Sequence, residues 1–184
     1  MYRQLIPLLL ACAVLGGGTA ESLDTSSKPS PSSAASLYLG TAVADAARDL
    51  ETRLGVPLAA LEIAVEPGTL TFRIENPRLP GHIEQYRYDG KAWSGPVVVT
   101  IEEAPDLAAN LFPLRDVNLA SISGLVETAG KEVEIFDGEV SRVSIRRQLP
   151  YSRDVRIGLA VRGTERNALL LSDAQGQVLE ARAL

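Results

Sequence analysis

Seven arginines fall between Val140 and Arg166 against only Asp154 and Glu165, in a chain whose formal net charge is -5. Upstream the balance is opposite, with 17 Asp and Glu against 8 Lys and Arg from Thr41 to Glu139. Strand alternation sets Val143 and Ile145 on one side and Arg142, Ser144 and Arg146 on the other. The next run repeats this, with Val155, Ile157, Leu159 and Val161 opposing Arg156, Gly158, Ala160 and Arg162. A basic stripe of Arg142, Arg146, Arg156 and Arg162 on one sheet face is therefore expected. Guanidinium groups gathered in this way can grip carboxylates or phosphates bidentately. The competing expectation is that acidic residues of the first half neutralise the stripe where the two halves meet.

Tyr86 and Tyr88 share a strand face, and Trp93 follows in the adjoining loop. Exposed, this group suits a peptide, glycan or protein partner; packed, it closes a sheet edge. His82 is the only histidine and sits in the Pro80-Gly81 turn near Glu84. Any triad, zinc site or histidine base has to use it, yet the serines cluster in the leader and on the second helix, in no strained nucleophile turn. The densest acidic cluster, Glu102, Glu103 and Asp106, encloses Ala104 and Pro105 where a calcium loop alternates ligands around a glycine. A solvated connector is the expectation. Cys12 is the only cysteine, so thiolate metal sites, disulfides and cysteine nucleophiles are excluded from the folded part. No cofactor and no catalytic residue is implied.

The elements that position these residues read as follows. Val43, Ala46, Ala47, Leu50 and Leu54 mark a helix that Thr41 caps and Gly55 with Pro57 stop. Ala60 to Glu66 and Thr69 to Glu75 form a hairpin about Pro67-Gly68, followed by strands from Ile83 to Asp89 and from Val97 to Ile101. A connector over 102–115 leads to a second helix from Asp116 to Ala129, ended by Gly130. Strands are then expected at Val133 to Phe136, Val140 to Arg147, Val155 to Arg162 and Asn167 to Ser172, with an edge strand from Gln177 to Ala181.

Arg3, the apolar stretch Leu5 to Leu15 and the small-residue site ending at Ala20 have the layout of a secretory signal, so 1–20 reads as a cleaved leader. The alternative takes Leu9-Leu10-Ala11-Cys12 as a lipobox, with Cys12 acylated as a lipid anchor. Residues 21–37 are rich in Ser, Pro and Ala and read as a flexible linker. No run approaches the length of about 20 apolar residues that a spanning helix takes. For an exported acidic chain nucleic acid is not the expected partner.

The chain also reads as one unit written twice. Ile63, Val65, Pro67-Gly68, Leu70 and Leu79-Pro80 find counterparts in Val133, Ile135, Asp137-Gly138, Val140 and Leu149-Pro150, all 70 positions on. The expected architecture is α+β, in two tandem repeats at 38–101 and 116–184, each a helix on an antiparallel sheet of three to four strands. A helix, then strands with terminal turns such as Tyr88-Asp89-Gly90-Lys91 and Asp173-Ala174-Gln175-Gly176, resembles the PepSY-type modules of secreted and periplasmic proteins. The doubled layout also resembles β-lactamase inhibitory proteins. These resemblances imply a binding, inhibitory or chaperone-like role in the envelope and supply no catalytic residue. The expected function is an exported, non-catalytic binding or accessory module of the bacterial envelope, periplasmic or lipid-anchored, with a protein or anionic ligand as partner. An inhibitor or immunity-type protein that blocks an enzyme is the alternative, and a hydrolase comes third.

Overall fold

The computed structural model describes residues 37–101 and 106–184. The expected leader, Cys12, linker residues 21–36 and Glu102 with Glu103 lie outside the described residues. In chain order the elements are α1 (Ala42–Leu54), β1 (Ala59–Glu66), β2 (Thr69–Glu75), β3 (Ile83–Tyr88), β4 (Trp93–Val99), the single turn α2 (Leu107–Asn110) and β5 (Phe112–Pro113). After a 3-10 turn at Leu114–Asp116 come α3 (Ser121–Glu132), β6 (Glu139–Gln148), β7 (Ser152–Arg162), β8 (Asn167–Asp173) and β9 (Val178–Ala183).

The fold is α+β, and the nine strands of the described residues form one antiparallel sheet ordered β4-β3-β2-β1-β6-β7-β8-β9 with short β5 beside β1. Alternation explains its inner face. Leu70, Phe72 and Ile74 on β2, Ile63 and Val65 on β1, Val143 and Ile145 on β6, and Ile157, Leu159 and Val161 on β7 all turn to one side and are buried. The halves meet where Ile63 pairs with Ile145 and Val65 with Val143. Val43, Ala46, Ala47 and Leu50 of α1 and Ile122, Leu125 and Ala129 of α3 cover that face, so one apolar core runs across both halves. Gly55, at φ 74, takes the left-handed conformation that ends α1 and donates its N–H to the Glu51 carbonyl.

Several expectations change. The sheet is single and continuous, where two small sheets were expected. The spacing of 70 does not align elements: Ile63 lies in β1, whereas Val133 caps the end of α3. Val133 to Phe136 is a turn, with Ile135 buried and bonded through its N–H to the Gly130 carbonyl. Helix α3 starts five residues after Asp116 and runs through Gly130. A Cβ at Gly130 would stand 3.1 Å from the Ile135 carbonyl oxygen, so the glycine serves close packing inside the helix. Thr41 bonds Asp45 through its hydroxyl and makes no side-chain cap. Strand β4 begins at Trp93, ahead of the expected Val97, because Tyr88 pairs with Trp93 and Arg87 with Ser94. Leu37, assigned to the linker, is buried with Tyr38 in the core.

Candidate functional site

Helices α1 and α3 both pack on the inner face, and the opposite face carries the polar residues of each alternating strand. Across its middle run small residues in register, with Ala64 opposite Thr71 and Ser144, and Ser144 opposite Gly158. Gly158 has no room for more, since a Cβ there would meet Leu171 Cδ2 and Ser144 Oγ at 3.3 Å each. This low row is bordered by long charged side chains.

A hollow of 260 Å³ opens beside it, lined by Glu62, Ala64, Glu66, Thr71, Arg73 and Arg87 together with Gln85 and Arg142. Arg142 donates from Nη1 to Glu66 Oε1 at 2.7 Å and from Nη2 to Glu62 Oε1 at 3.3 Å. Glu62 uses its other oxygen for Arg73 Nη1 at 2.8 Å, and Arg73 Nε donates to Gln85 Oε1 at 3.2 Å. One half-buried carboxylate thus holds a guanidinium from each half, binding β6 to β1 and β2 across the junction. Such a network orients its arginines and leaves part of each fork open to a further acceptor. Arg87, exposed on the same wall, has no carboxylate within ion-pair distance among the described residues.

The four arginines expected to form a stripe do share this outer face. Arg146 stands opposite Arg156 and Arg142 opposite Ala160, with Arg162 further along the same strand. Their states differ. Arg142 is neutralised by Glu62 and Glu66, and Arg156 bonds Asp154 Oδ2 at 3.0 Å. Arg146 and Arg162 are exposed and make no ion pair among the described residues. Arg147 and Arg166 are engaged by backbone carbonyls, of Leu111 and Arg153 for the first and of Glu134 for the second.

The aromatic group is no open surface. Tyr86 is buried opposite Phe72, and its hydroxyl donates to Glu84 Oε2 at 2.9 Å. Burial first, and that bond second, push the hydroxyl up to about 12. Trp93 stacks at 5.0 Å on Tyr88 and 5.8 Å from Phe72, while its Nε1 donates to Asp49 Oδ2 of α1 at 2.7 Å. These rings fasten α1 to the sheet edge. His82 is an exposed turn residue whose backbone bonds Leu79 and Asn76. Asp106 accepts from the Ala109 N–H and caps α2. No cluster of metal-ligating side chains occurs among the described residues.

Sequence reasoning missed Glu62, Arg73, Gln85 and Arg87 as members of the site. The signal was present, because Thr71 with Arg73 and Gln85 with Arg87 alternate like the arginines of β6 and β7. Strand order was the missing link: only once β1 lies against β6 do the two polar faces become one surface.

No helix among the described residues is long and apolar enough to cross a membrane. No protein-family model matches the chain, and no curated protein matches it. Among solved structures, the chain is similar to the crystal structure of "a putative lipoprotein" from Clostridium difficile 630, at 14% identity and a TM-score of 0.49, over 80% of this chain and 94% of that one.

Proposed function

We propose that the protein is an exported, non-catalytic binding module of the cell envelope that engages an anionic ligand, or an acidic patch of a protein partner, on its open sheet face. The observation that carries this reading is the sheet face on which neither α1 nor α3 packs. Arg87, Arg146 and Arg162 project from it without ion-pair partners among the described residues, beside forks that Glu62 and Glu66 hold in place. Oriented guanidinium groups over a floor of small side chains suit carboxylate or phosphate groups. The helix followed by four antiparallel strands, present twice in chain order, supports a repeated PepSY-like layout as part of the same reading.

The test uses three probes: polyphosphate, polyglutamate and phosphatidylglycerol vesicles. Binding to at least one is expected, weakening steeply as salt rises because exposed charges are screened over about 8 Å at physiological ionic strength. Arg87→Gln with Arg146→Gln should weaken it about tenfold, the loss of one to two charge-assisted contacts. The melting temperature should hold, and His82→Ala should change neither quantity. Unaltered binding by the double variant overturns the reading.

A further inference from the structure

Among the described residues, the two outer edges of the sheet are built differently. Strand β4 carries Pro96, which has no N–H to offer to a further strand. Strand β9 has no proline, and its ladder with β8 is regular from Glu180 to Ala183, with a bulge at Leu179. All six of its residues, Val178 to Ala183, are exposed, with Leu179 at 54% and the following Leu184 at 74%.

Backbone direction along β9 follows from its ladder. Leu184 donates to the Asn167 carbonyl at 2.8 Å, and Arg182 and Glu180 stand opposite Leu169 and Leu171. In an antiparallel pair alternate residues direct both polar groups to the same neighbour. Glu180 and Arg182 therefore turn their N–H and C=O toward β8, while Ala181 and Ala183 turn theirs outward.

We propose that a second copy of this chain pairs along β9, antiparallel, about a two-fold axis at Ala181. In that register the two Ala181 residues exchange both backbone hydrogen bonds. Glu180 lies directly opposite the partner's Arg182, and Arg182 opposite the partner's Glu180. The side chains of Glu180 and Arg182 already share one face, 3.6 Å apart, so each can exchange its neighbour in the chain for one across the axis. An axis at Glu180 or Arg182 sets like charges face to face, which opposes pairing, and an axis at Leu179 or Ala183 leaves both charges without an opposite partner, so only Ala181 matches them. An isologous contact of this kind closes at two copies.

The test is sedimentation velocity over a concentration series, with circular dichroism to verify folding. The native chain should dimerise. Glu180→Arg and Arg182→Glu should each weaken dimerisation about tenfold, because both cross-axis pairs become repulsive. An equimolar mixture of the two variants should dimerise again, since one copy then presents two arginines to two glutamates. A stability effect confined to one chain cannot produce that recovery. The proposal is overturned if the native chain stays monomeric at the highest attainable concentration, if the folded mixture stays monomeric, or if β9 binds an extended peptide and not a second copy.

Discussion

Asp49 joins two parts of the molecule through one exposed carboxylate oxygen. Oδ2 accepts from Arg53 on its own helix and from the Trp93 indole, both at 2.7 Å. The Arg53 bond first and the Trp93 bond second hold this carboxyl below the usual aspartate range. A depressed native pKa means that the group's contribution to stability is present above the unfolded value of about 3.9 and is lost as pH falls through the lower native value. The molecule has one tryptophan, so its emission reports this contact directly. Emission should stay constant down to the ordinary aspartate range and shift to the red only below it. Asp49→Ala should show the shifted emission at neutral pH. A midpoint at or above about 3.9 would contradict the assignment. None of this was legible in the sequence. Alternation told that Tyr86 and Tyr88 share a face, but not that the face is the inner one, because a half-polar strand reads the same from either side.

At the scale of elements, α3 contains two glycines in contrasting surroundings. A Cβ on Gly124 would meet nothing within 4 Å, whereas one on Gly130 would approach the Ile135 and Gly138 carbonyl oxygens at 3.1 and 3.3 Å. Gly124→Ala should therefore stabilise the protein by about 0.5–1 kcal/mol, the helix-propensity difference. Gly130→Ala should lower the melting temperature, because backbone oxygens held in a tight turn yield little. Thermal unfolding of both variants checks the pair. The same contact explains why the sequence misled at this point. Gly130 after an apolar stripe has the form of a helix stop, and Val133 with Ile135 has the alternation of a strand. Tertiary contact decides otherwise: the 133–138 segment folds back on α3, and Asp137 accepts the Thr164 N–H at 2.9 Å from the turn joining β7 and β8. Where alternation was longer and bounded by glycine or proline turns, as in β1, β2, β7 and β8, strands emerged close to their expected limits.

For the whole molecule, the junction of β1 and β6 decides how many parts unfold. Ile63, Val65, Val143 and Ile145 are all fully buried there on the inner face, and the ion pairs of Arg142 with Glu62 and Glu66 span the same junction on the outer one. Ile145→Ala should cost about 2–5 kcal/mol, the usual range for emptying an aliphatic core site. Denaturant unfolding followed at Trp93, in the first half, and by amide exchange in β7, in the second, should give coincident transitions in both proteins. Two separate midpoints would show that the halves are independent. The duplication inferred from spacing did not foresee this, since hydrophobic periodicity records which face is apolar and carries no record of which strands become neighbours.

Every ladder except those of β1 with β5 and β6 joins strands consecutive in the chain. Folding therefore contains one long conformational search among several short ones. Hairpins close over a few residues, while Val65 has to meet Val143 from far along the chain. Phe112, fully buried and paired with Ala60, is an intermediate mooring that divides this search. Since each doubling of a flexible loop adds only about 0.6 kcal/mol to its closure, the length of the segment between β4 and β5 is a weak determinant of folding. The mooring point is a strong one.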